Sequence, residues 1–338
     1  MNRITFPRIS YDGRSITQSD LETWFCNKVE TEISNRLKTI TIPRNKDQKY
    51  WLDYIKNNLN NLLLCSPQDA LKLTEEVDLK YKKCFQQKGR KGKIVSTRFG
   101  TEILKAFNYA NFRSTILKEL AEKLNVKSCP YCNMHYTLFA ETDDKKQDKI
   151  AKLQFDHFFG KAEYPFLSMS LYNLIPSCGV CNQGKSSKKL SLKFHPYASA
   201  ICEQFHFEVD NPFLLYLGGK ADRIEIKIES DGAAMADLNQ YQKMFNLKSL
   251  YRRHKDIAQE VFDKEYLKGY YSSPLNFSFL NTTDWDYFKR LWMGVYPNVS
   301  EIELRPMSKF INDLSKQAEA LMGKNTLLGY VKLSGVLP

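Results

Sequence analysis

Four cysteines in two pairs, Cys129-Pro130-Tyr131-Cys132 and Cys178-Gly179-Val180-Cys181, enclose a segment carrying Phe155-Asp156-His157-Phe158 and Tyr172-Asn173-Leu174-Ile175-Pro176. Each Cys-x-x-Cys turn aims two thiolates at one point, and two such knuckles complete a tetrahedral zinc site. A site closed by Cys129, Cys132, Cys178 and Cys181 has no open position, so its zinc is expected to be structural. A redox dithiol fits poorly, because two pairs occur and neither opens a βαβ pattern. His135 is a rival ligand beside the first pair, but four thiolates complete the set without it. The gap from residue 133 to 177 is longer than a plain zinc ribbon needs, which leaves room for a second centre.

That second centre has the ingredients of hydrolysis. Asp156 offers a hard oxygen suited to Mg²⁺ or Mn²⁺. On an extended strand His157 points to the opposite face and stays off the metal. Its ordinary pKa of about 6.5 suits a general base for water. A short helix is expected over residues 182–189, where Asn182 can give the ion a side-chain carbonyl. Lys185, three residues on, could reach a scissile phosphate. Asn173 can cross-link the backbone of the loop that presents His157. Taken singly these residues are ordinary: a lone His is usually a packed partner, an Asn a turn residue, and Lys185 with Lys188, Lys189 and Lys193 a solvated face. Their order in one contiguous stretch carries the reading, a metal-dependent nuclease. The competing reading is a non-catalytic zinc module that binds nucleic acid or a protein partner.

Helices and strands must hold these groups in place. Residues up to about Leu124 read as helical: Ser19-Asp20-Leu21-Glu22 can cap a helix carrying Trp24, Phe25, Val29, Ile33 and Leu37. Trp51, Leu52, Ile55, Leu59, Leu62 and Leu63 repeat the pattern, and Ser66-Pro67 offers an N-cap with proline at the first helical position. A basic loop, residues 88–93, precedes renewed helical periodicity over residues 102–124. Within the central segment, residues 134–139 and 153–155 are expected as short strands, with a polar excursion at 141–149. Arg223 to Glu229 alternates strictly and predicts a half-buried strand, with residues 204–209 as its partner. Helical spacing returns from Asp237. The expected organisation is α+β: a helical region over residues 1–125, the chemical module over 126–197, and a hairpin followed by helices over 198–338.

Bulk properties agree with an anionic partner. The chain has 338 residues, with Lys+Arg 50 against Asp+Glu 38 and a net charge of +12. Basic residues gain affinity for phosphates by releasing condensed counterions. No apolar leader or membrane-length apolar run is visible, so a reducing cytoplasm and no membrane association are expected. In that compartment paired Cys-x-x-Cys turns signify metal, and the remaining Cys26, Cys65, Cys84 and Cys202 read as small apolar residues. No phosphate-binding Gly-x-x-x-x-Gly-Lys loop is present, so any ATP dependence must come from a partner.

The run Phe155-Asp156-His157-Phe158-Phe159, then Tyr172 to Cys178, then Cys181-Asn182-Gln183-Gly184-Lys185 resembles the HNH endonuclease family, over residues 128–188. The resemblance implies a ββα-metal fold with His157 as base, Asp156 and Asn182 as ligands of a catalytic Mg²⁺ or Mn²⁺, and Asn173 as loop organiser. Asn182 stands where the family name has its last His. Weaker similarity at Phe107-Asn108-Tyr109, Phe194-His195-Pro196-Tyr197 and Arg305-Pro306-Met307-Ser308-Lys309 extends to larger bacterial HNH proteins of Septu-type anti-phage defence. That weaker similarity implies an ATPase or sensor subunit as partner, while the nuclease reading as a whole takes DNA as substrate, with RNA as the other candidate.

Overall fold

The computed structural model describes residues 3–89, 94–141, 149–216, 223–271 and 285–324. The described residues are predominantly helical, with five two-stranded antiparallel sheets. The chain divides into two compact units, one of Arg3–Cys129 with Tyr136–Ser199, the other of Pro130–His135 with the described residues from Ala200 onward. The N-terminal helices and the Asp-His segment therefore share one unit. Among the described residues no helix is long and apolar enough to cross a membrane.

The first unit opens with a small sheet, β1 (Arg8–Ile9) and β2 (Ser15–Ile16), and then α1 (Gln18–Lys38). The cap of α1 is Thr17, not Ser19: Thr17 accepts from the Asp20 amide at 3.2 Å, and Asp20 accepts from the Thr17 amide at 3.1 Å. This reciprocal pair satisfies two N–H groups that a helix start leaves open. Leu21, Phe25, Val29, Ile33 and Leu37, four residues apart, form its buried stripe. Next come α2 (Lys46–Asn57), α3 (Leu59–Leu63) and α4 (Pro67–Glu76). Ser66 caps α4 as expected, with Pro67 at the first turn. Trp51 of α2 is fully enclosed, stacked on Phe166 at 5.1 Å and edge-on to Phe85 at 5.3 Å.

A π-helical turn at Val77–Tyr81 leads to α5 (Lys82–Phe85) and the hairpin β3 (Gln86–Lys88) and β4 (Ile94–Ser96). Of the basic loop, residues 90–93 lie outside the described residues. The helical stretch expected over 102–124 is three helices, α6 (Arg98–Ala106), α7 (Tyr109–Phe112) and α8 (Ile116–Leu124). Asn108 breaks it first, with φ of 50°, a left-handed conformation that Asn tolerates better than most side chains, and Thr115, with φ −123° and ψ −91°, sets the second break before α8.

The central strands differ from expectation. β5 (Leu138–Glu141) pairs with β6 (Lys149–Lys152), and most of the polar excursion, residues 142–148, lies outside the described residues. The Asp-His strand, β7 (Gln154–His157), pairs instead with β8 (Leu174–Ser177), setting Asp156 opposite Ile175 and His157 opposite Leu174. Pro176 fits β8 because this ladder has only two strands, and an edge strand can dispense with one amide donor. Helix α9 (Gly179–Lys185) follows at once, so β7, β8 and α9 form a ββα unit.

In the second unit β9 (Phe205–Val209) and β10 (Ile226–Ser230) pair as the alternation predicts, Ile226 against Val209. Around them lie α10 (Pro212–Tyr216), α11 (Met235–Phe245), α12 (Leu247–Tyr251), α13 (Lys255–Tyr271), α14 (Trp285–Met293) and α15 (Ser308–Lys324). Phe207 anchors this core, 4.3 Å from Tyr251 and 5.3 Å from Phe310 by ring centroids. Asn133, with φ of 50°, accepts from the Lys309 amide at 2.9 Å and donates to the Ile302 carbonyl at 3.0 Å, so it caps α15 from outside the helix.

Candidate functional site

All four paired cysteines are buried, and their sulfurs lie within 4.8 Å of one another. Four thiolates at about 2.3 Å from a zinc would stand roughly 3.8 Å apart, so the cluster can close on an ion by small rotations. Backbone amides point at the sulfurs: Cys178 N–H to Cys129 Sγ at 3.4 Å, Cys181 N–H to Cys178 Sγ at 3.4 Å, and Met134 N–H to Cys132 Sγ at 3.5 Å. Donors to thiolates stabilise their negative charge and orient them for metal. His135 Nδ1 reaches Cys132 Sγ at 3.6 Å and is no member of the cluster. This chain therefore holds a buried four-cysteine group able to take a metal such as zinc. The other cysteines behave differently: burial pushes the thiols of Cys26, Cys65 and Cys84 up to about 11, which suits inert packing residues.

Strand β7 carries Asp156 and His157 into the wall of a cavity of about 620 Å³. Asn182, from the middle of α9, lines the same cavity, so hard oxygen donors and an imidazole from two elements open on one space. Asn182 Nδ2 donates to Gln154 Oε1 at 2.6 Å, which turns the amide so that its carbonyl faces away from Gln154. Gln154 was not singled out from sequence, although it sits two residues before Asp156 on the same strand face.

His157 Nε2 lies 3.0 Å from the Ser168 carbonyl. A carbonyl can only accept, so Nε2 carries the proton and Nδ1 keeps its lone pair. The Tyr109 ring meets the imidazole edge-on at 4.5 Å, and its hydroxyl donates to the Phe155 carbonyl at 3.2 Å. These contacts fix the ring. The expected pKa near 6.5 is corrected: burial, with the charges of Lys161 and Lys185 adding, pulls His157 down to about 3. Its imidazole is neutral throughout the neutral pH range. Neither Ser168 nor Tyr109 could be assigned this role from spacing, since they approach from 11 and 48 residues away in the chain.

Lys185 also departs from expectation. Its side chain is fully buried, and Nζ donates to the His157 carbonyl at 2.7 Å and lies 3.3 Å from Asp156 Oδ2. Three steps of about 100° put it roughly 60° round α9 from Asn182, which turns it inward while Asn182 keeps the rim. The ammonium therefore fastens α9 to β7 and does not project to a phosphate. Burial lowers its pKa, and Asp156 pulls the other way. Asn173, in the 3-10 turn just before β8, accepts from the Phe159 amide at 2.7 Å and donates to the Phe159 and Leu167 carbonyls at 3.0 and 2.9 Å. It ties together the two ends of the loop after His157.

No protein-family model matches this chain, and neither does any curated protein or solved structure.

Proposed function

We propose that this chain is a divalent-metal-dependent endonuclease of the HNH type that hydrolyses phosphodiester bonds in DNA, with the four-cysteine group holding structural zinc. What supports the reading is the convergence of Asp156, His157 and Asn182 on one cavity, with the imidazole lone pair left at Nδ1. One carboxylate and one amide oxygen suit Mg²⁺ or Mn²⁺, which bind few protein ligands and keep positions for water and phosphate oxygens. That ion, when bound, polarises the phosphate and stabilises the leaving oxygen. Within the chain, His157 Nδ1 is the acceptor placed for the attacking water's proton, and the negative charge of a bound phosphate opposes the lowering of its basicity by Lys161 and Lys185. Ser168 holds the Nε2 proton and Tyr109 holds the ring plane. Lys185 positions Asp156 and the His157 backbone, and Asn173 keeps the His157 loop closed. A non-catalytic zinc module would need the cysteines but gives no account of this convergence.

The testing experiment is incubation of purified protein with plasmid DNA and Mg²⁺ or Mn²⁺, with EDTA as control. His157→Ala should lower cleavage by about 10²–10⁴-fold, the usual worth of a general base, with zinc content and circular dichroism unchanged. Cleavage at the wild-type rate by this variant would defeat the assignment. From the resemblance we place the chain as the effector nuclease of an anti-phage defence system, acting with an ATPase or sensor subunit. Co-purification with its partner, and cleavage measured with and without it, tests that placement.

A further inference from the structure

The cavity holds more positive charge than a water-activating site requires. Besides Asp156, whose carboxylate already faces Lys185, its lining includes Arg113, Lys118 and Lys161. Among the described residues no salt bridge is found for any of these three. Lys161 is partly buried, with its ammonium 4.2 Å from the centre of the Tyr109 ring, the same ring that abuts His157. Burial, with the charge of Arg113 adding, lowers the Lys161 pKa. Two like charges facing one cavity, Lys161 partly buried and Arg113 at its exposed edge, repel each other, and an anion between them relieves both.

The rim beside them is also strained. Ser186 ends α9 at φ 50° and ψ −126°, and the Lys188 amide bonds to the Lys185 carbonyl at 2.9 Å, a type II′ turn whose first central position favours glycine. Ser186 and Ser187 both line the cavity. A serine there keeps a hydroxyl at the rim that glycine would not supply. Cations without a carboxylate partner among the described residues and a strained backbone beside them together mark a surface shaped for a ligand.

We infer that Arg113 and Lys161 form a second anion subsite, which grips a backbone phosphate next to the one presented to His157. The ligand class is a nucleic-acid strand with at least two consecutive phosphates. This inference rests on the reading of the cavity as a phosphodiester site. A single phosphate at His157 would leave these cations without a counterion, whereas a continuous strand supplies charges at regular spacing.

The test measures binding without cleavage. A fluorescent 12-nucleotide single-stranded DNA is titrated against the full chain in EDTA, at a series of salt concentrations. Lys161→Met and Arg113→Gln should each weaken binding about tenfold and lower the slope of log K against log salt by about 0.7, the counterion release of one phosphate contact on a single strand. Lys161→Met should also melt no lower than the wild type, because it removes a partly buried charge that has no anion in the free protein. A purely structural lysine would lower the melting temperature and leave the salt slope unchanged, and that pair of results overturns the inference. Unchanged affinity and slope in Arg113→Gln, an exposed position where misfolding is not expected, overturns it equally. Binding that depends on both cations, from a chain that cleaves nothing with Mg²⁺ or Mn²⁺, refutes the nuclease reading and leaves the subsite standing. Cleavage by a chain whose binding ignores both cations does the reverse.

Discussion

The thiolate cluster and the cavity beside β7 solve opposite problems with residues from one stretch of chain. In the cluster every ligand is buried, the sulfurs are met by backbone amides, and closure leaves no coordination position for a substrate. The cavity is lined by groups that are individually costly, a desolvated imidazole, cations without a salt bridge among the described residues and a strained serine, and a buried ammonium stands behind its wall against Asp156. The contrast teaches where stability is spent. With a metal bound, the four-cysteine group would cross-link residues 129–132 to 178–181, beside a cavity whose groups are each costly to bury.

Breaking that cross-link should have the largest effect. Cys178→Ser removes a metal ligand while leaving a hydroxyl that can still cap α9, so zinc content should fall and the chain should lose its cooperative melting transition through loss of the metal alone. Structural zinc in small sites contributes about 10 kcal/mol or more of apparent binding energy. Metal analysis and calorimetry on the same sample check this; a variant that melts like the wild type without metal removes the structural role.

Lys185→Met asks whether the cavity shares the cluster's rigidity. It leaves the Asp156 carboxylate buried without its ammonium, and breaking a buried pair this way costs about 3–5 kcal/mol. Denaturant unfolding should show that loss with zinc retained, which would separate the two centres energetically. Equal loss of zinc would merge them.

Acid should act through His195, which packs against Phe158 at 4.1 Å with Nε2 unpartnered. Burial, with Lys185 adding, pulls His195 down to about 3. Between that value and the ordinary 6.5, the unfolded chain binds the proton that the folded chain refuses. Stability is therefore full above about pH 6.5 and falls as pH drops toward 3, by about 1.4 kcal/mol per unit at most. His195→Phe should shift the acid-unfolding midpoint to lower pH, and an unmoved midpoint would discharge His195 from this role. His157 contributes in the same direction.

The smallest effect is expected at the rim. Ser186→Gly relieves the left-handed backbone and should raise stability by about 1 kcal/mol or less, offset in part by the entropy glycine loses on folding. A decrease in melting temperature would show that Ser186 is unstrained, and the cavity would then be less costly than the comparison holds.

Spacing along the chain was enough for the paired cysteines, because Cys-x-x-Cys closes locally and each knuckle carries its own geometry. Period-two alternation likewise located β9 and β10, and four-residue spacing located the buried stripe of α1. It failed where pairing was non-local: the partner of β7 is β8, 17 residues further on, and no local pattern distinguishes it from the nearer residues 134–139. Asn108 defeated the helical reading of 102–124 because one left-handed residue interrupts a helix without changing its apolar periodicity. Lys185 was misread for a similar reason, since three residues along a helix implies nearness without saying which side faces inward.

Residue order alone determined that this chain carries two Cys-x-x-Cys turns able to share a metal, with an Asp-His pair and Asn173 between them and Asn182 directly after. Tertiary structure alone decided that Ser168 sets the imidazole tautomer, that Tyr109 braces its ring, and that Lys185 lies inside with Asp156. The reason is physical. Ligand spacing is a property of short chain segments, but desolvation, tautomer and charge balance depend on what arrives from elsewhere in the fold.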